Sequence, residues 1–281
     1  MTQLIGALCE DRTKVILLSD RMVTAGGGSL AFEHEPKYAM MSSNAIVLTA
    51  GSVLEPEILE DAKAEISERA PLRQIAERIT ESYRITRTKR VEQEILEKYG
   101  ITSFEHFYNL QQRLHEDTNL GLLKRIEEYE LGVALVLGGV DDKGHLYYID
   151  DPGACRSFDA LGFCCVGSGD RHAEPVFAFY GFKPSISASQ ALQIGFEAKK
   201  RAEMAGGVGR ETDAWLISRE GCYEITSETI ERLQQLRESQ ESLAKFQQEI
   251  DIGLRKLGFE RIEAGDKEEK ARTEESGNQK G

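Results

Sequence analysis

The apolar residues of the first fifty positions come in short, nearly unbroken runs, each closed by a polar group or a glycine. That pattern confines this part of the chain to strands of a buried sheet. The runs cover residues 2 to 9, 14 to 19, 37 to 41 and 45 to 49, with a polar turn after the first and the loop Gly26-Gly27-Gly28 after the second. From Glu55 the period becomes helical. Ile58, Leu59, Ala62, Ile66 and Ala70 share one face as far as Pro71, and Leu72, Ile75, Ile79 and Tyr83 form the stripe of a second helix that Pro71 opens. Strand character returns at residues 131 to 140, 144 to 149 and 161 to 166, with Asp150-Asp151-Pro152-Gly153 as a turn. Helices are expected at 170 to 180 and 187 to 205, the second opened by a Ser187/Gln190 capping box, before a strand at 213 to 218 and a hairpin at Arg219-Glu220-Gly221. Strands, helices, strands and helices in that order predict a mixed α/β protein.

Two stretches fall outside this alternation. Helical period continues past the second helix to about Tyr99, breaks at Gly100 and restarts behind Ser103, a good N-cap. Phe104, Phe107, Tyr108, Leu110 and Leu114 then make one stripe, and residues 120 to 129 add another piece. Residues 85 to 129 are therefore expected to be an inserted helical hairpin, either a solvated extension or a lid or docking element. Near the C-terminus, Ile230, Leu233, Leu236, Leu243, Phe246, Ile250 and Leu254 mark an amphipathic helical extension over 227 to 259. Residues 260 to 281 read as a charged, disordered tail. The main domain is expected to span residues 2 to 226.

The 281 residues are 40% hydrophobic and 30% charged, as in an ordinary globular protein. A net charge of -13 without a basic patch argues against nucleic acid as a partner. No charged n-region with an apolar h-region opens the chain, and no apolar run reaches the roughly 18 residues that span a bilayer. The protein is thus expected in the cytoplasm and away from membranes. The cysteines Cys9, Cys155, Cys164, Cys165 and Cys222 are odd in number, sit mostly in apolar segments and read as reduced core thiols. None is spaced with histidines as a zinc site requires, and neither a metal nor a cofactor is expected.

Polar residues with complementary chemistry sit at the ends of the predicted strands. Thr2 follows Met1 directly, and methionine removal behind so small a residue would put a hydroxyl and a free α-amine on one residue. An α-amine, with a pKa of about 7.7–8.0, is able to act as general base for the hydroxyl beside it. The ammonium of Lys37 would keep that amine neutral and stabilise an alkoxide, and Asp20 is the carboxylate to hold Lys37. Gly51 would bring its N–H close to an oxyanion with no side chain in the way.

With Ser19-Asp20-Arg21, Lys37, Thr49-Ala50-Gly51-Ser52 and Val166-Gly167-Ser168-Gly169 following Thr2 to Gly6 in order, the chain resembles the β-subunits of the proteasome, among the N-terminal-nucleophile hydrolases. The likeness covers residues 2 to 70 and 131 to 226. It implies an α+β fold, a four-layer α-β-β-α sandwich carrying the helical insertion and the C-terminal extension. It also implies a threonine endopeptidase acting on peptides or unfolded protein, assembled as a homo-oligomer in a ring or related assembly, with an ATPase or α-type subunit as partner. By this matching the catalytic residues are Thr2, Asp20, Lys37, Gly51 and Ser168, whose serine hydrogen-bonds the N-terminal region. Val23, Glu35, Thr49 and Val53 match the primary specificity pocket, where Glu35 suggests a preference for basic residues. The pattern departs at Ala202-Glu203-Met204-Ala205, where the family carries an Asp and a Ser; Glu203 is a substitute for the acid and nothing replaces the Ser. Two alternatives stand beside this reading: a non-catalytic ring subunit, and a transpeptidase or amidohydrolase using the same nucleophile. The Thr immediately behind Met1 favours catalysis.

Overall fold

The computed structural model describes residues 2–25, 30–33, 37–51, 55–68, 70–239 and 260–261. Strands β1 (Gln3–Cys9) and β2 (Lys14–Asp20) form a hairpin, followed by β3 (Met22–Ala25), β4 (Leu30–Glu33), β5 (Tyr38–Ser42) and β6 (Ala45–Gly51). Helices α1 (Glu55–Ala64), α2 (Leu72–Val91), α3 (Phe104–Leu110) and α4 (Glu116–Glu127) come next. The chain then returns to strands β7 (Val133–Val140), β8 (Gly144–Asp150), β9 (Ala154–Ser157) and β10 (Phe163–Gly167). Helices α5 (Asp170–Phe179) and α6 (Ala188–Ala202) precede β11 (Thr212–Ser218), β12 (Gly221–Glu224), α7 (Ser227–Ser239) and the two-residue β13 (Glu260–Arg261).

Two antiparallel sheets make an α+β sandwich. One has the order β10-β1-β2-β11-β12-β13, the other β5-β6-β7-β8-β9, and β3 with β4 forms a separate ribbon. Side chains alternate across each strand, and in β1, β2, β6, β7 and β11 they are buried on both sides. Leu4, Leu8, Val15 and Leu17 of the first sheet meet Ile46, Leu48, Val136 and Leu146 of the second. Their neighbours Ile5, Ala7, Ile16 and Leu18 face the opposite way, under Ala173, Phe177, Leu192 and Phe196 of α5 and α6. On the far side Val47, Leu135 and Leu137 lie beneath Ile58, Leu72, Ile75 and Ile79 of α1 and α2. Burial of both faces explains why β1 and β7 read as unbroken apolar runs.

Glycines set how closely the sheets approach. A Cβ at Gly138 of β7 would stand 2.8 Å from Leu17 Cδ2, and one at Gly6 of β1 would stand 2.7 Å from Leu146 Cδ2.

Several boundaries differ from the sequence reading. Helix α1 stops at Ala64, six residues before Ala70. The amides of Glu65 and Ile66 donate only three residues back, to Ala62 and Lys63, and Ala70 does the same to Ser67. Ile66 and Ala70 still pack on the α1–α2 core, so their apolar period reflects a common destination reached from a turn. Strand β7 begins at Val133, not Leu131, because the Leu131 and Gly132 amides both donate to the Asp151 carboxylate at 2.9 Å.

The insertion is a small helical cluster with its own core instead of a plain hairpin. Helix α2 runs into a π turn at Glu92–Leu96 and a 3-10 turn at Glu97–Tyr99, and Gly100 ends it with φ of +73°. Ser103 then caps α3 by accepting from the His106 amide. Val91, Ile95, Leu96, Ile101, Phe107 and Leu122 close around one another. Arg87 ties the end of α4 back by donating to the carbonyls of Ile126 and Tyr129.

Of the C-terminal extension, α7 covers residues up to Ser239; the stripe from Leu243 to Leu254 lies outside the described residues. Glu260 and Arg261, assigned from sequence to a disordered tail, pair with Glu224 and Tyr223 of β12. Residues 262–281 also lie outside the described set. All five cysteines are free, four of them buried, and burial pushes the thiols of Cys9, Cys164 and Cys222 up to about 12. No helix among the described residues is long and apolar enough to cross a membrane.

Gly138→Ala is expected to destabilise the protein by about 1–3 kcal/mol through overpacking against Leu17. Combined with Leu17→Val it should cost less than the two single changes summed, as read from urea denaturation midpoints.

Candidate active site

The β1–β2 register places Leu4 opposite Ser19, so the start of β1 meets the end of β2 and Asp20 comes beside Thr2 and Gln3. Asp20 is fully buried. Its Oδ1 accepts from the Gln3 amide at 2.8 Å and from Lys37 Nζ at 3.1 Å. Its Oδ2 accepts from the amides of Met22 at 3.1 Å and Gly209 at 2.9 Å. A carboxylate removed from water needs donors of this kind in place of its hydration.

Lys37 stands one residue ahead of β5. The Thr49 amide of β6 donates to its carbonyl at 3.0 Å, so the hairpin holds the lysine backbone at the sheet end. Its ammonium is 2.7 Å from Thr2 Oγ1 and also donates to Asp20 and to the Met22 carbonyl. These three acceptors match the three N–H groups of an ammonium. The Thr2 oxygen thus accepts from Lys37, and its own proton is directed elsewhere. Thr2 itself is only 6% exposed.

The Thr2 carbonyl accepts from the Ser168 amide at 3.0 Å. Gly167, with φ of +127°, makes that approach: a Cβ there would lie 1.9 Å from the Thr2 carbonyl oxygen. Ser168 is exposed, and the bond to Thr2 that the structure gives runs through its backbone. Gly51 ends β6, exposed and with φ of +114°, and a Cβ there would lie 1.8 Å from the Gly132 carbonyl oxygen. The need for glycine at 51 is therefore conformational, whether or not an oxyanion is ever bound nearby.

Thr2, Asp20, Lys37 and the Ser168 backbone form one hydrogen-bonded group. Thr49 of the expected specificity pocket is buried in β6. Val23 lies in β3; its side chain, together with Glu35, Ser52 and Val53, is outside the described residues. Glu203 accepts from Lys199 Nζ at 2.6 Å and Lys200 Nζ at 2.9 Å, so its carboxylate is engaged by α6 lysines.

The sequence reading missed the backbone donors. Gly209 offers no side chain of its own, yet a Cβ there would meet Met22 Cβ at 2.8 Å and Asp20 Oδ2 at 3.1 Å. The signal is a third glycine, after Gly206 and Gly207, shortly ahead of a strand that begins beside Asp20. Arg21 has a structural role. Its Nε reaches both Asp213 oxygens, at 2.8 and 2.9 Å, bracing the end of β2 to β11, and that bond holds the guanidinium above its usual range.

No three His, Cys, Asp or Glu residues among those described are grouped to hold a metal ion. A surface groove of about 440 Å³ between α5 and α6, walled by Phe179, Tyr180, Arg201 and Met204, shares no residue with the Thr2 group. Comparison with models of known protein families and with curated proteins finds no match to this chain.

Asp20→Ala removes the acceptor of three amides and leaves Lys37 without its counter-charge. Loss of about 3–5 kcal/mol is expected, since breaking one half of a buried pair strands the other. The double change Asp20→Ala/Lys37→Met should cost less than the sum of the single changes when measured by denaturant unfolding.

Proposed function

We propose that the chain is an N-terminal-nucleophile hydrolase of the proteasome β type, a threonine peptidase that acts on peptides or unfolded protein in the cytoplasm. The observation that carries this reading is the 2.7 Å contact between Lys37 Nζ and Thr2 Oγ1, held in a buried site by Asp20. A buried ammonium on a hydroxyl oxygen stabilises that oxygen as it becomes an alkoxide and disfavours protonation of an amine nearby.

With Met1 removed, the Thr2 α-amine takes the hydroxyl proton while Oγ1 attacks the peptide carbonyl. A tetrahedral oxyanion forms, to which the Gly51 N–H donates. The C–N bond then breaks, the leaving amine carries off the proton, and an ester remains on Thr2. Water, deprotonated by the Thr2 α-amine, attacks the ester; the C–O bond to Thr2 breaks, the acyl group leaves as the acid, and the proton returns to Oγ1. Assembly into a ring or related oligomer is part of the same proposal.

A non-catalytic ring subunit is the second reading. It is favoured by the engagement of Glu203 with Lys199 and Lys200, and by a need for glycine at 51 that the backbone alone explains.

Intact mass after exposure to a threonine-directed epoxyketone or β-lactone decides between them. The expected result is a chain without Met1 that carries one adduct, absent in Thr2→Ala. Labelling should speed up as pH rises, with a midpoint at or below about 7.7–8.0, because only the unprotonated amine accepts the proton. A free N-terminal Thr2 that never labels would overturn the catalytic reading in favour of the structural one.

A further inference from the structure

Lys199 is a fully buried cation outside the group that touches Thr2. It lies near the end of α6, where Ala198 and Ala202 pack into the core beneath the first sheet. Its Nζ donates to Glu203 Oε1 at 2.6 Å and to the Arg210 carbonyl at 2.7 Å. Burial pushes its pKa down to about 8, against the upward pull of the Glu203 hydrogen bond. Glu203, Lys200 and Asp20 are the charged groups it feels. A cation in such surroundings is costly unless its bonds repay the lost hydration.

Those bonds lead towards the nucleophile. Arg210 directly follows Gly209, whose amide donates to Asp20 Oδ2 at 2.9 Å. The turn before it, Gly206-Gly207-Val208-Gly209, includes Gly207 with φ of +87°. A turn this rich in glycine has much conformational freedom to lose on folding and needs an external tie. The Arg210 carbonyl held by Lys199 is such a tie, one residue from the donor that Asp20 uses.

We infer that Lys199 is a positioning residue for Thr2, fixing the Gly209 amide on Asp20 and thereby the Lys37 ammonium on the Thr2 hydroxyl. The inference rests on the reading of Thr2 as nucleophile. A purely local role, in packing the end of α6, would leave the chemistry at Thr2 unaffected. Lys200 Nζ reaches the same Arg210 carbonyl at 3.1 Å and the same Glu203 carboxylate at 2.9 Å from the surface. It therefore retains part of the link between α6 and the turn when Lys199 is replaced, and Lys199→Met is expected to fold.

The test is inactivation of Lys199→Met by a β-lactone, resolved into kinact and KI, with hydrogen exchange at the Gly209 amide measured on the same protein. The expected result is at least a tenfold fall in kinact, KI within twofold of wild type, and at least tenfold faster Gly209 exchange. Gly209→Ala, which forces the same donor off Asp20 from the other end, should give the same kinetic split. If Lys199→Met does not fold, Glu203→Gln loosens the lysine while keeping its charge and should give the same changes at smaller amplitude. A folded variant with unchanged kinact and unchanged Gly209 exchange overturns the inference. Should wild-type Thr2 never label, the nucleophile reading fails on its own account. Gly209 exchange then still decides whether Lys199 holds the turn.

Discussion

Asp20 is a carboxylate closed off from water, and the chain has to supply what hydration would have supplied. Its four donors come from separate places: the Gln3 amide at the start of β1, the Met22 amide at the start of β3, the Gly209 amide before β11, and the Lys37 ammonium before β5. The Gln3 and Gly209 amides fasten one end of the first sheet together, and the Met22 amide ties the β3–β4 ribbon to it. The fourth crosses over, because Lys37 leads into a strand of the second sheet. One buried ion pair thus joins the two sheets where the Thr2 hydroxyl lies. The site is not added to a finished sandwich; it is how this end of the sandwich is closed.

Much of the element order was legible because hydrophobic period reports burial directly. Unbroken runs at β1, β2, β6 and β7 mark strands covered on both faces, and the stripes of α1 and α2 mark helices covered on one. Period says nothing of which strand lies beside which. Pairing of β1 with β10, more than 150 residues later in the chain, includes a close approach of Gly167 to the Thr2 carbonyl that appears only in three dimensions. Nor does it distinguish a helix from a turn whose side chains reach the same core, hence the early end of α1. In the insertion, the stripes were visible, but their closure around Val91, Leu96 and Phe107 was not.

Within the site, the legible parts are side chains and the hidden parts are backbone. Thr2, Asp20 and Lys37 have letters whose chemistry suggests their company. Gln3, Met22 and Gly209 contribute amides, which every residue except proline possesses, so no letter announces them. Ser168 shows the same distinction, since it was singled out for its hydroxyl and meets Thr2 through its amide. Glu203 was a candidate by position relative to the glycine turn. Position in sequence placed it near the right loop, but α6 carries Lys199 and Lys200 within reach, and the nearer cations took the carboxylate.

Whether Asp20 and Lys37 serve structure or chemistry is a question about cost. A well-packed apolar pair in place of a buried ion pair is often neutral or stabilising by about 1–4 kcal/mol. Closing this end of the sandwich would therefore be achieved more cheaply by hydrocarbon, with the three amides turned to other acceptors. What hydrocarbon lacks is a positive charge held 2.7 Å from the hydroxyl oxygen of Thr2. That hydroxyl is the member of the group on which the fold depends least. Without it, Asp20 keeps all four donors, and Lys37 keeps Asp20 and the Met22 carbonyl. Under the proposed function, the stability given up at this end of the sandwich is what directs an ammonium at an oxygen that the fold hardly requires.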